Sequence, residues 1–216
     1  MSTGGVKCRD ELAKAGIERV TLPGAQAFGA TTAGGHRYGE LVDALRDLID
    51  TVCVADAPEE AVEEAIGSLA QVTALLGKHV GSPGSQPAGH RWDLPARGHP
   101  LIVPLRIEHI TDTEMRGRVR FSSAHKAHPG IAHGGFVPLV FDEALGVFAT
   151  RFDPPPRTAS LTVEYRSGTP VEVELDVRCR LVRHDGRKLH VSGDLRHEGR
   201  LVAEAEALFV QPRAAT

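Results

Sequence analysis

The stretch GGFVPLVFDEALGVFATRF, residues 134–152, decides how the rest of the chain is read. Phe136, Val137, Leu139, Val140, Phe141, Ala144, Leu145, Val147 and Phe148 cover nearly the whole circumference of a helix. A helix that is apolar all round is buried rather than half-exposed. Pro138 fits near its start, where backbone N–H groups have no intrahelical partner to lose. The spacing therefore predicts a core helix over 134–151 that begins close to His133–Gly135. Asp142 and Glu143 are the anomaly, because an unpaired carboxylate in a core is costly and needs a partner or a purpose. For Glu143 the simpler reading is that it points to the helix's solvent edge. For Asp142, structure and function weigh equally.

On either side of this helix the C-terminal part of the chain reads as strands. LIVPLRIEHI and RGRVRFS form a first pair, and TASLTVEYRS alternates Leu161, Val163 and Tyr165 with polar residues. VEVELDVRCRLV alternates Val171, Val173, Leu175, Val177, Cys179 and Leu181. Reversals at Asp185–Gly186 and Glu198–Gly199 lead to RKLHVSGDLRHE and RLVAEAEALFVQ, so neighbouring strands run antiparallel. One helix against an antiparallel sheet is an α+β architecture. Upstream, Tyr38, Leu41, Val42, Leu45, Leu48, Ile49 and Val52 make one amphipathic stripe, and Val62, Ile66, Leu69, Val72 and Leu76 make another. Asp56, Pro58 and Glu59 resemble a capping box before the second helix. Each stripe is expected to pack on the rest of the protein or on a second subunit; the alternative is a membrane-surface or partner-binding hairpin. Residues 81–100 are dense in Gly, Pro and Ser, which predicts a linker or a segment laid over a surface, with Trp92 a packing anchor. The expected organisation is a helical extension over 1–80, a linker over 81–100 and the α+β domain over 101–216.

Composition excludes several classes of function. A net charge of −3 and no basic cluster interleaved with aromatics argue against nucleic acid. Cys8, Cys53 and Cys179 are odd in number and far apart, which fits a reducing cytosol better than a disulfide framework or a zinc site. No run is long enough for a membrane span, and MSTGGVKCRDELAKAG lacks the apolar core of a signal peptide, so a cytoplasmic protein is expected.

The approach to the core helix, HKAHPGIAHGG, carries His125, His128 and His133. Metal ligation would need all three to converge, and Pro129 and Gly130 interrupt any regular face, so no metal is expected and His125 and His128 read as solvated loop residues. No nucleophile elbow of the G-x-S-x-G kind occurs, and Ser122, Ser123 and Ser160 lack a partner set. The glycine pair is different. It lets another molecule approach the backbone, and the free N–H groups at a helix start can polarise a carbonyl. Gly134 and Asp142 are roughly 12 Å apart along one helix, too far to act on one carbonyl together. Cooperation between them requires a second chain.

The pattern His133–Gly134–Gly135, six residues, then Asp142 resembles the hotdog-fold acyl-CoA thioesterases of the phenylacetic-acid-pathway type. The branch that includes the human mitochondrial long-chain acyl-CoA thioesterases is the most similar, through HPGIAHGG and TASLTVEYRSGTP. The resemblance covers about 101–211 and also includes GRK at 186–188 and the closing AEAEALFV. It implies a hotdog fold, with an antiparallel sheet wrapped around one long central helix, paired into dimers and in many members tetramers. It implies hydrolysis of an acyl-CoA thioester to free acid and CoA, with no cofactor beyond the coenzyme A of the substrate. Asp142 takes the place of the family's general base or nucleophile. Gly134 takes the place whose N–H polarises the carbonyl from the opposite subunit. His133 supports that turn and orients the thioester, and Thr158 positions the water or the carboxylate. Many relatives carry an asparagine where this chain has Ala127, which leaves carbonyl stabilisation mainly to the helix start and His133. Gly135, Glu143, Arg157, Arg187 and Lys188 are candidates for holding substrate, the three cations by pairing with CoA phosphates, as is Arg166. The competing function is a non-catalytic acyl-CoA-binding hotdog module, a sensor or carrier, which would have little need for a carboxylate beside the acyl tunnel.

Overall fold

The computed structural model describes residues 29–82 and 84–213. Cys8, the opening stretch read for a signal peptide and the first part of the expected helical extension lie outside the described residues. The elements are α1 (Tyr38–Val52), α2 (Glu59–Gly77), β1 (Leu105–Ile110), β2 (Glu114–Arg120), the short β3 (Lys126–His128) and β4 (Ile131–Ala132), α3 (Phe136–Ala149), β5 (Arg157–Tyr165), β6 (Glu174–Asp185), β7 (Lys188–His197) and β8 (Arg200–Val210).

Six strands form one antiparallel sheet in the order β1-β2-β6-β7-β8-β5, while β3 and β4 pair separately as a hairpin leading into α3. The β7–β8 turn holds Glu198 at φ 50° and Gly199 at φ 80°, the two left-handed residues that a type I′ hairpin needs. The inward residues of the alternating strands, among them Met115, Leu175, Val177, Leu189, Val191 and Leu195, close over α3, which contributes Phe141, Leu145 and Phe148. Each such side chain contributes about 1.5–3 kcal/mol by leaving water. Gly193 makes the closest approach possible: a Cβ there would sit 3.0 Å from the ring of Phe141 and 3.3 Å from Leu145. A sheet wrapped in this way on one central helix is a hotdog fold.

In the single chain the rest of the protein covers little of the stripes of the N-terminal helices. In α1 only Gly39 and Val42 are buried, and α2 has no buried residue, with Val62, Ile66, Leu69, Val72 and Leu76 all exposed in the single chain. α1 is held instead by polar contacts. Arg46 donates to the carbonyl oxygens of His99 (2.7 Å) and Pro100 (3.4 Å), and Asp50 accepts the Ala124 N–H at 2.8 Å. The capping box is not formed. Pro58 occupies the cap of α2 without a side-chain bond, and Glu59 and Glu60 offset the helix dipole in its first turn.

Candidate active site

Asp142 lies on α3 and Thr158 at the start of β5, and the Thr158 hydroxyl donates to Asp142 Oδ1 at 3.3 Å. The register explains the meeting. Thr158 pairs with Phe209, whose side chain is buried against the core, whereas Ser160 pairs with Leu208 across a bulge. Without the extra residue Thr158 and Ser160 would share a face; the bulge at Ala159 re-aims Thr158. Asp142 itself is exposed in the single chain, at the edge of a cavity of about 170 Å³ that also touches Trp92, Arg97, Gly146, Thr158 and Phe209.

Glu143 is not on the solvent edge. It is buried at 8% exposure, and Arg97 grips both of its oxygens: Nε donates to Oε1 at 2.9 Å and Nη2 donates to Oε2. An acid with both oxygens engaged by a neighbouring arginine is a structural clamp rather than a group offered to substrate. The arginine comes from the Gly/Pro-rich stretch, which is folded as a strap over the end of α3. Ala96 (φ 51°) and Arg97 (φ 52°) are both left-handed without being glycine, a conformation that costs about 1–2 kcal/mol per residue. Neighbouring groups hold them there. The Arg97 carbonyl accepts the N–H groups of Gly89 (3.0 Å) and Arg91 (3.1 Å). Arg91, itself buried, reaches the carbonyl oxygens of Ala33 and Gly35 and forks onto Asp93. The Arg97 guanidinium lies 5.3 Å from the centre of the Trp92 ring, so Trp92 does more than anchor packing.

The glycine turn is built around His133. Its Nδ1 accepts the Gly135 N–H at 3.0 Å, which places the proton of the neutral ring on Nε2. The Gly135 N–H is therefore already used, which removes it as a donor to substrate. Gly134 is exposed, and its N–H meets no acceptor among the described residues. Its carbonyl accepts the Tyr165 hydroxyl at 2.8 Å, which fixes the plane of the Gly134–Gly135 peptide. His125 is half-buried rather than solvated: Nδ1 accepts the Ser122 N–H at 2.9 Å, the ring stands edge-on to Phe121 and Phe136, and its carbonyl accepts the His133 N–H at 2.7 Å. His128 is exposed on β3. Among the described residues no group of three His, Cys, Asp or Glu side chains is placed to hold a metal ion.

Burial lowers the pKa of both His125 and His99, the Arg97 guanidinium adding to the effect at His99. The unfolded chain then takes up protons near the ordinary histidine pKa before the folded chain does, so stability falls as pH drops below about 6.5. The melting temperature is expected to decline as the pH falls below about 6.5. His125→Asn, which keeps an acceptor for Ser122 without a titrating ring, should flatten part of that decline. An equal slope in the variant would contradict the assignment.

The candidate phosphate-binding cations are only partly gathered. Arg157 and Lys188 both pair with Val210, from opposite sides, so they flank one strand at the same end of the sheet as Thr158. Arg187 adjoins them, with Nη1 donating to the Gln211 carbonyl at 2.6 Å. Arg166 sits at the far end of β5 and is engaged by Glu204 and Glu164. Sequence reasoning missed Arg97, Trp92, Gly146 and Tyr165 as parts of the site. The one signal that could have found Arg97 was the acid it neutralises.

Residues 129–204 match the family model of the Thioesterase superfamily. A crystal structure of a thioesterase superfamily protein aligns with a TM-score of 0.70 at 26% identity, over 80% of this chain and 94% of that one. The fold is thus a hotdog fold, and the chain resembles thioesterases over part of its length. The chain is also 31% identical over 85 residues to acyl-coenzyme A thioesterase THEM4 of Xenopus laevis, a match that spans 38% of that relative's length. No helix among the described residues is long and apolar enough to cross a membrane.

Proposed function

We propose that this protein hydrolyses an acyl-CoA thioester to the free acid and CoA, as a homodimer in which each site is shared. Asp142 of one subunit acts on the thioester carbon, either directly or by drawing a proton from water. The free N–H of Gly134 from the other subunit polarises the carbonyl. The observation that carries this reading is the bond from Thr158 to Asp142 Oδ1 at the edge of a cavity: it orients the carboxylate and leaves Oδ2 for the reaction. His133 holds the turn through Gly135 and keeps Nε2–H as a further donor toward the oxyanion. Arg157, Arg187 and Lys188 supply positive charge for the CoA phosphates at the adjoining end of the sheet. The local likeness to an acyl-coenzyme A thioesterase supports coenzyme A as the thiol. The branch containing the mitochondrial long-chain enzymes and a cytoplasmic site of action remain part of this proposal. Release of free CoA thiol from a panel of acyl-CoAs tests the reading. Turnover supports it; tight acyl-CoA binding with no turnover would replace it with the sensor or carrier.

A further inference from the structure

Gly146 is out of place for a core helix. It stands four residues after Asp142, on the same face of α3. Glycine inside a helix costs about 1 kcal/mol relative to alanine, and its backbone here is ordinary right-handed helix. Neighbours do not demand it either: a Cβ built on Gly146 meets nothing within 4 Å. The space it leaves open belongs to the cavity of about 170 Å³ beside Asp142, which the strap residues Trp92 and Arg97 border. The strap is held there at the cost of two left-handed residues and a buried ion pair, a concentration of strain and charge that marks functional positions more often than packing ones. The Arg97–Glu143 pair neutralises its own charge, which suits a wall against an uncharged chain.

We propose that the acyl group enters along Gly146 and stops at Trp92, so that the missing side chain opens the pocket and the strap sets its length. This assignment rests on the thioesterase reading and adds to it the residues that set acyl length. The cavity beside Asp142 is small, about 170 Å³ in the single chain, so the side chains at positions 146 and 92 decide how much of an acyl chain it takes. Arg97 is a positioning residue for that wall, acting through Glu143 on one side and the Trp92 ring on the other.

Opposite substitutions should move the specificity in opposite directions. The readout is kcat/KM for acyl-CoAs from acetyl to palmitoyl, together with melting temperature and size in solution. Gly146→Ala and Gly146→Val should lower the ratio of hexanoyl-CoA to acetyl-CoA activity, by at least about tenfold for valine, since a methylene or two in a tight pocket discriminates by 10–200-fold. Gly146→Ala should melt at or above the wild-type temperature, which separates a filled pocket from a damaged fold. Trp92→Ala should raise the ratio of decanoyl-CoA to hexanoyl-CoA activity by a similar factor; should it fail to fold, Trp92→Phe should shift the ratio in the same direction by less. Chain-length profiles that do not move in these variants would overturn the pocket assignment alone. So would dissociation of the oligomer by Gly146→Ala, because the glycine would then serve contact between copies. A wild type inert toward every thioester would instead overturn the thioesterase reading, and this assignment with it.

Discussion

Asp142→Asn should lower kcat for acyl-CoA hydrolysis by at least about a hundredfold, the usual loss when a positioned acid–base group is removed. The substitution is nearly isosteric, and its amide oxygen can still accept the Thr158 hydroxyl that Oδ1 accepts at 3.3 Å. Side-chain position and substrate binding should therefore persist while basicity and nucleophilicity vanish, so the loss should appear in kcat with little change in KM. Because Asp142 is exposed in the single chain and its one side-chain hydrogen bond among the described residues is to Thr158, the melting temperature should be nearly unaffected. Steady-state kinetics on the wild type's best acyl-CoA checks this. A variant within threefold of wild type would remove Asp142 from the chemistry.

Arg97→Met should destabilise the protein by about 3 kcal/mol, because it leaves the Glu143 carboxylate buried without its counter-charge. The lower end of the usual range of about 3–5 kcal/mol applies, since the Arg97 side chain is 27% exposed whereas that of Glu143 is 7% exposed. For a chain of this size the loss corresponds to a drop of roughly 6–12 °C in melting temperature. Methionine leaves the left-handed backbone as strained as arginine does, so the change reports only the loss of the guanidinium's contacts, chiefly the ion pair with Glu143 and in smaller part the stacking on Trp92. The double variant Arg97→Met/Glu143→Met should recover most of the loss, because an apolar pair of similar volume removes both charges together. A single variant that melts within 2 °C of wild type would show that the clamp carries no stability.

The parts of this molecule that were legible before its structure are those written in periodicity. α3 is apolar on every side and carries a proline where only a helix start tolerates one, and it begins where that pattern placed it. β5 to β8 alternate, and the Glu198–Gly199 turn adopts the two left-handed residues its composition suggests. The strap was not legible. Gly, Pro and Ser composition predicts irregular chain but no particular path, and Ala96 and Arg97 give no local sign that they will be left-handed. The Arg97–Glu143 pair joins positions 46 residues apart, and one charge among many carries no pattern. Which glycine N–H stays free depended on the His133 ring turning back onto Gly135, a rotamer choice invisible in the sequence. The stripes of α1 and α2 illustrate a further limit. Periodicity says that a face is amphipathic, and within one chain that face remains open.

The central claim is that hydrolysis needs Asp142 from one chain and the His133–Gly134 turn from another. Mixing denatured Asp142→Asn and His133→Ala chains in equal amounts and refolding them together tests it most directly. Each mixed dimer would hold one site with both elements intact and one with neither. In a statistical mixture of two-fold dimers, activity should recover to about a quarter of wild type, well above either variant alone. Activity that stays at the sum of the two inactive parents would contradict the shared site.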